Sequence, residues 1–207
     1  AKVMRTIDAE ASRMTAMIDE LLALARLDEA SQLEVAWTDV GALVRDAVND
    51  ARVLHADHPI ELEIDPSGGP AQLGAEVNAP RLGEAVRNLV ANAGRHTPAG
   101  TRLDVAVRRA AGTGPRDERW PAIAIAVHDE GPGIPADQQR FVFERFYRGS
   151  DSRTAGRTGS GLGLAIVQAI AEAHGGSAQL ESAPGLGTTV TITVPIQHTV
   201  EGKLDQT

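Results

Sequence analysis

The chain has 207 residues, enough for one domain with an appendage or for two small domains. Twenty basic against 28 acidic side chains give a formal charge of −8, which argues against a general nucleic-acid binder because such proteins carry a net basic face. Cysteine is absent, which excludes thiolate chemistry. The longest apolar run is residues 122–127, and this is far shorter than the roughly 20 residues of a membrane-spanning helix. The first residue is Ala1 and no signal peptide follows it, so we expect a fragment of a longer protein that makes no membrane contact of its own.

Residues 2–29 predict a helix with one apolar seam. Its apolar or small side chains recur at spacings of three and four residues, namely Met4, Ile7, Ala11, Met14, Ile18, Leu21 and Ala25. This is the a/d pattern of a helical bundle, and charged residues lie off the seam, which favours partner helices over packing on the chain's own domain. We therefore expect residues 1–31 to be a separate unit, followed by a second domain over residues 32–196 and a polar tail over residues 197–207.

Short strands and amphipathic helices alternate through the second domain. Strands are predicted at residues 33–37, 60–64, 71–74, 101–108, 122–127, 177–183 and 188–194. Helices are predicted from a cap at Thr38 or Asp39 to about residue 54, over residues 80–95, and over residues 161–174. Polar turns or loops are predicted at residues 66–70 and 110–119. Together these elements predict an α+β fold, a two-layer sandwich with one mixed sheet and helices on one face.

The first segment that core packing explains poorly is residues 88–98, which read NLVANAGRHTP. On a helix, Asn88 and Asn92 share one face, and Arg95 lies one turn further along. Asparagine is a mediocre helix former, and its amide oxygen can complete a Mg²⁺ shell otherwise made of phosphate oxygens and water. Solvated helical asparagines are the alternative for this segment alone.

The second segment is residues 129–135, DEGPGIP, directly after the most apolar strand. Asp129 at the strand end can accept a hydrogen bond from an exocyclic amine, while Gly131 and Gly133 let a ligand approach the backbone. A simple turn is the alternative.

The third segment, residues 159–167, is a glycine-rich turn that runs into a helix and reads GSGLGLAIV. Free backbone N–H groups at a helix start form an anion site, so phosphates are the natural ligand. The dinucleotide-binding fingerprint fits poorly because the third glycine comes too early.

The fourth segment, residues 140–157, combines aromatic and basic side chains. All three phenylalanines and the only tyrosine lie within residues 141–147, and five arginines stand against two acids, a local charge of +3. A basic lid anchored by aromatic rings would cover a triphosphate. A solvated loop over a satellite core is the alternative.

In this order the four segments resemble the N, G1, F and G2 boxes of the sensor histidine kinases, and residues 185–189, GLGTT, resemble their final glycine box. Residues 7–28 are similar to the second helix of that family's dimerisation hairpin. The resemblance implies a GHKL-type ATPase fold, binding of ATP and Mg²⁺, and a homodimer through the N-terminal helix of the full-length protein. It also implies a response regulator receiver domain as partner, and a cytosolic position in a membrane-anchored bacterial sensor.

The resemblance further implies roles for single residues. Asn92 would bind Mg²⁺, with Asn88 and Arg95 supporting the metal and the phosphates, and Arg148 would reach the phosphates. Asp129 would accept the adenine amine, and Gly131 and Gly133 would let the base approach. The other residues implied to lie at the nucleotide, including the lid-hinge glycines, are His96, Ile134, Phe143, Tyr147, Gly159, Ser160, Gly161, Leu162, Gly163, Leu164 and Thr188.

Asn88 separates two enzyme classes within this resemblance. Related gyrase and chaperone ATPases place a glutamate, the base that activates water, one turn before the metal-binding asparagine. An amide cannot take a proton from water, so transfer of the phosphoryl group to another nucleophile is implied rather than hydrolysis. None of the six histidines lies in the family's phosphoacceptor setting, so the acceptor is expected on an upstream helix.

Two other functions stay open from the sequence. A nucleotide-binding scaffold without turnover would retain the same boxes. A serine kinase of the anti-sigma type would share the ATP-binding fold, but it would lack the helix predicted over residues 2–29.

Overall fold

The computed structural model describes residues 34–65, 73–113, 119–147 and 160–196. The helices are α1 (Val40–Leu54), α2 (Ala79–His96), α3 (Ala136–Gln139) and α4 (Gly163–Ala173). The strands are β1 (Ala36–Asp39), β2 (Ile60–Ile64), β3 (Gly74–Val77), β4 (Leu103–Thr113), β5 (Arg119–Asp129), β6 (Ser177–Ser182) and β7 (Thr188–Pro195). The predicted N-terminal helix, the predicted turn at residues 66–70, the predicted tail, and the site residues Arg148 and Gly159 lie outside the described residues.

The described strands form a five-stranded sheet in the order β2-β4-β5-β7-β6 and a separate two-stranded sheet of β1 and β3. Strands β2 and β4 are parallel and the other neighbours in the large sheet are antiparallel. The predicted α+β sandwich with a mixed sheet is therefore confirmed. The expectation of one sheet is wrong, because β1 pairs with β3 outside the large sheet.

Several element boundaries differ from the sequence prediction by a few residues; the first strand, predicted at residues 33–37, is β1 at Ala36–Asp39. Two further differences follow from strand pairing. The strand predicted at residues 71–74 instead begins at Gly74 and runs to Val77, where it pairs antiparallel with β1. Residues 110–113, predicted as loop, extend β4 and pair with the start of β5. The Trp120 ring lies over Gly112, where a side chain would collide with it, so glycine at this position allows the long hairpin.

The core lies between the large sheet and helices α1, α2 and α4. Alternate residues of the three central strands point towards these helices because side chains alternate along a strand. These buried strand residues are Leu103, Val105, Val107, Ile123, Ile125, Val127, Val190, Ile192 and Val194. Ala122 and Ala124, on the other face of β5, are also buried, as expected for a strand that is apolar on both faces.

Side chains cap helices α1 and α2. The Asp39 carboxylate accepts the Ala42 N–H at 3.0 Å and caps α1, which confirms the predicted capping region. The Asn78 side-chain oxygen accepts the Arg81 N–H at 3.1 Å and caps α2. Each cap satisfies a backbone donor that a helix start would otherwise leave unpaired.

A buried histidine connects the start of α2 with the end of α4. His174 Nε2 accepts the backbone N–H of Asn78 at 2.9 Å, and Nδ1 lies 2.7 Å from the Ile170 carbonyl oxygen. These two contacts fit the neutral ring with its proton on Nδ1. The two helices that carry the first and third polar segments are thereby held side by side.

Candidate functional site

Helix α2 divides the first polar segment between core and surface. Leu89, Val90 and Ala93 are buried against the sheet, whereas Asn88 and Asn92 are half-buried on another face. Arg95 and His96 are exposed in the last turn of the helix. The structure therefore places both amides and the cation on one helix, as the spacing predicts.

Asp129, at the end of β5, is a buried carboxylate with a relative exposure of 8%. Its Oδ1 accepts the Gly131 N–H at 2.9 Å. Burial raises the pKa of Asp129, and this effect is opposed by hydrogen bonds from the backbone of Gly131, by the charge of His128 and by a backbone hydrogen bond from Thr188. A carboxylate has about four acceptor positions, so Asp129 can accept a hydrogen bond from a ligand amine besides those from Gly131 and Thr188.

Three separate elements meet at Asp129. A Cβ atom on Gly131 would lie 2.5 Å from Asp129 Oδ1 and 2.7 Å from the methyl group of Thr97, which follows α2. Gly187 has φ 83°, and a side chain there would collide with the Asp129 carbonyl oxygen. The end of α2, the loop after β5 and the turn before β7 are thus in direct contact, and glycine is required at both approaches.

The loop after β5 also touches the β6–β7 turn. Gly133 has φ 70°, and a side chain there would collide with the Ala183 carbonyl oxygen. The Gly185 N–H donates to the Pro132 carbonyl at 2.8 Å. The second polar segment is therefore a loop fixed against the hairpin rather than a free turn.

The described residues on either side of segment 148–159 are in direct contact. The Phe146 N–H donates to the Gly161 carbonyl at 3.0 Å. Gly161 has φ 77°, and a Cβ atom there would lie 2.8 Å from the Tyr147 carbonyl oxygen. Phe146 itself has φ 64°, which is unusual for an aromatic residue.

Aromatic rings anchor the described start of the predicted lid. Tyr147 packs on Phe141 with ring centroids 5.7 Å apart, and the Arg140 guanidinium lies 4.5 Å from the Phe141 ring centre. Phe143 packs against the core, whereas Phe146 is 52% exposed.

Helix α4 begins with Gly163, directly after the glycine turn. The side chain of Leu162 is fully buried and Leu164 packs against the core, so these residues can offer a ligand only their backbone or their edges. The Ser160 hydroxyl accepts the Leu162 N–H at 3.2 Å. Nothing in the described residues lies within 4 Å of a Cβ atom built on Gly163, which leaves room for a ligand at the helix start.

The amide oxygens of α2 are the donor set that fits a Mg²⁺ ion. Among the described residues, no group of three or more histidine, aspartate or glutamate side chains could hold a metal. Mg²⁺ at a nucleotide is held by few protein ligands together with phosphate oxygens and water. Asn92, half-buried on α2 with Asn88 one turn before it, carries an amide oxygen that fits this kind of site.

Three residues that were not predicted as site residues from the sequence make contacts at this site. Thr97 is buried against Gly131, and its hydroxyl donates to the Ala93 carbonyl at 2.9 Å. Ser182 and Gln139 bind the loop after β5 through their side chains. Only Thr97 had a signal in the sequence, because it directly follows His96 in the first polar segment; Gln139 lies on α3, which the pattern did not predict.

Residues 77–198 match the family described as histidine kinase-, DNA gyrase B- and HSP90-like ATPase. The chain is 40% identical over 185 residues to the probable sensor histidine kinase TcrY of Mycobacterium tuberculosis, covering 89% of this chain and 36% of that protein. It is 38% identical over 199 residues to the sensor-like histidine kinase SenX3 of Mycolicibacterium smegmatis, covering 96% of this chain and 49% of that protein. The chain thus spans less than half the length of these relatives.

Among solved structures, the mycobacterial sensor histidine kinase MprB superimposes with a TM-score of 0.62 at 27% identity, covering 80% of this chain and 99% of that chain. Within the part of the chain that the structure describes, no helix is both long enough and apolar enough to cross a bilayer.

Proposed function

We propose that this chain, which belongs to the histidine kinase-, DNA gyrase B- and HSP90-like ATPase family, is the ATP-binding catalytic part of a sensor histidine kinase, as its relatives are named. It donates the γ-phosphoryl group of ATP to a histidine on an upstream helix. The phosphoryl group then passes to an aspartate of a response regulator receiver domain. Residues 1–31 supply the second helix of a dimerisation hairpin, residues 32–196 bind the nucleotide, and residues 197–207 are a tail. In the full-length protein this part lies on the cytosolic side of a membrane-anchored bacterial sensor.

The observation that carries this proposal is the buried carboxylate at the junction of three elements. Asp129 is held by Gly131 beside Thr97, and Thr188 contributes a further backbone hydrogen bond. Adenine presents an exocyclic amine as donor, and its flat ring can lie against backbone that lacks side chains. Asp129 accepts the amine, while Gly131 and Gly133 allow the loop beside the base to pack closely against Asp129, Thr97 and Ala183.

The phosphates extend from the base towards α2 and the start of α4. Asn92 would hold Mg²⁺ through its amide oxygen, with Asn88 and Arg95 beside it, and the ion would offset the negative charge of the phosphate oxygens. Backbone N–H groups at Gly161 and Gly163 face the phosphates. Several further residues complete the nucleotide site in this proposal: His96, Ile134, Phe143, Tyr147, Arg148, Gly159, Ser160, Leu162, Leu164 and Thr188.

Transfer rather than hydrolysis follows from the side chain at position 88. The nucleophile is an imidazole nitrogen of the acceptor histidine, which forms a bond to the γ-phosphorus while the bond to the β–γ bridging oxygen breaks and ADP leaves. The Asn88 amide cannot deprotonate water, so the site holds ATP without a general base for its hydrolysis. The protein contributes positioning and charge neutralisation.

A calorimetric titration of ATP into the chain, with and without Mg²⁺ and with released phosphate measured in parallel, tests this function. We expect Mg²⁺-dependent binding without steady phosphate release. The full-length parent protein should then form an acid-labile, base-stable phosphoryl adduct from γ-labelled ATP. Absence of ATP binding by the folded chain would overturn the proposal, and so would rapid phosphate release by the chain alone.

A further inference from the structure

The side-chain amide of Gln139, on the one-turn helix α3, bridges two backbone carbonyl groups that are remote in sequence. Its Nε2 donates to the Ile134 carbonyl at 2.7 Å and to the Ser182 carbonyl at 2.8 Å. Both N–H groups of one amide are thereby used. This side chain connects the loop after β5 with the end of strand β6.

The hydroxyl of Ser182 completes the connection from the other side. It accepts the Ile134 N–H at 2.8 Å and donates to the Gly187 carbonyl at 2.8 Å. The backbone N–H and C=O of Ile134 are therefore both bound by side chains. The position of this loop residue is set by Gln139 and Ser182 rather than by a strand ladder.

Ile134 follows the glycines that face the nucleotide base in the proposed function. Gly133 lies in backbone contact with Ala183, one residue after Ser182, and Gly187 lies against the Asp129 carbonyl. The loop is covalently fixed at Asp129 and is held at its far end through Ile134. Release of Ile134 would leave the segment that contains Gly131 and Gly133 held only by the Gly131–Asp129 and Gly185–Pro132 hydrogen bonds, while Asp129 would remain in β5.

We propose that Gln139 and Ser182 are positioning residues for recognition of the adenine base. Neither side chain needs to touch the nucleotide; together they hold the glycine loop at the distance from Asp129 that the flat base requires. This inference rests on the proposed function and adds the residues that set the affinity of the nucleotide site for adenine. Because two interactions share one loop residue, their effects are coupled.

The test compares Gln139→Leu and Ser182→Ala with the wild type in titrations of ATP, adenosine and inorganic tripolyphosphate. Gln139→Leu removes the two amide donors, and Ser182→Ala removes the hydroxyl that accepts the Ile134 N–H and donates to the Gly187 carbonyl, each at similar or smaller volume. We expect ATP and adenosine to bind about tenfold more weakly, which corresponds to about 1.4 kcal/mol, while tripolyphosphate affinity is unchanged. The double variant should lose less than the product of the two single losses.

Matched controls separate positioning from general destabilisation. Gln138→Leu changes the neighbouring glutamine of the same helix, whose backbone N–H binds Pro135, and should leave all three affinities at wild-type values. Ser182→Thr keeps the hydroxyl and should restore adenosine binding. If Gln139→Leu does not fold, Gln139→Asn, whose shorter amide cannot reach both carbonyls, should give the same selective loss.

The outcomes distinguish this inference from the function on which it rests. Wild-type protein that binds no ATP would overturn the proposed function. Wild-type binding combined with unchanged adenosine affinity in both variants would overturn the inference alone. Equal losses for adenosine and tripolyphosphate would also overturn it, because they would indicate a general effect on the fold.

Discussion

Replacement of Asp129 by asparagine tests the centre of the proposed site. The variant keeps the shape of the side chain and one oxygen for the Gly131 N–H, which Oδ1 accepts at 2.9 Å. Its NH₂ group then faces the adenine amine, so a donor meets a donor in a buried position. A mispaired buried polar group costs about 1–3 kcal/mol, so ATP should bind about 5- to 150-fold more weakly.

Calorimetric titration of ATP and GTP into wild type and Asp129→Asn measures this effect. The guanine carbonyl can accept a hydrogen bond from the new NH₂ group, so the preference for ATP over GTP should shrink together with ATP affinity. Asp137→Asn, on exposed α3, makes the same chemical change away from the base. Equal ATP affinity and an unaltered nucleotide preference in Asp129→Asn would refute the assignment of Asp129 to the base.

The pH dependence of the same residue provides a second measurement. Burial raises the pKa of Asp129 above its ordinary value. The stability that the protonated Asp129 contributes to the fold is therefore fully present below the ordinary pKa of an aspartate, and it is lost as the pH rises through the higher pKa of the folded state. ATP affinity should change in the opposite direction, because only the ionised carboxylate accepts the amine, and should fall as pH decreases through the same folded-state pKa. Asp129→Asn should abolish both dependences, as thermal melts and titrations across acidic pH would measure.

Four further variants probe the rest of the site and the packing of the helices that carry it. Asn92→Ala should eliminate Mg²⁺-dependent ATP binding in calorimetry, and near-normal affinity in Mg²⁺ would contradict the role of this amide. Gly133→Ala should lower the free energy of unfolding by about 2 kcal/mol or more in a urea titration, because φ is positive at this residue and the added methyl group would collide with the Ala183 backbone. Gly163→Ala, in open space at a helix start, should be neutral or stabilising in the same titration. His174→Ala should lower the free energy of unfolding by about 2–4 kcal/mol, because it leaves the Asn78 N–H unpaired and creates a cavity. A change below about 0.5 kcal/mol in urea melts, the usual size of a surface substitution, would refute the bridging role.

Much of the fold could be predicted because local patterns and tertiary structure agree. Strand β2 occupies the predicted residues, and α1 begins directly after the predicted cap Asp39. The strand near residue 74 was placed too early because its boundaries depend on pairing with β1, which a local window does not contain. The hairpin extension at residues 110–113 was missed for a similar reason, since a polar, glycine-containing stretch is stabilised there by its partner strand.

Part of the site could also be predicted from local sequence, whereas the rest depends on contacts between residues that are far apart in the chain. The spacing of Asn88 and Asn92 is a property of one helix and could be predicted from the sequence. The contact of Gln139 with Ser182 joins residues 43 positions apart, so no local pattern indicates it. Thr97 had a place in a recognised segment, but its contact with Gly131 depends on how α2 meets the loop after β5.

The hydrogen bond from the Phe146 N–H to the Gly161 carbonyl holds these two residues together, so folding includes the entropy cost of bringing the two ends of the intervening chain together. The entropy of closing such a loop grows only with the logarithm of its length, so doubling the number of residues costs only about 0.6 kcal/mol. Length changes between these two residues should therefore hardly alter the stability of the domain, whereas a change at Gly161 would disrupt the closure itself.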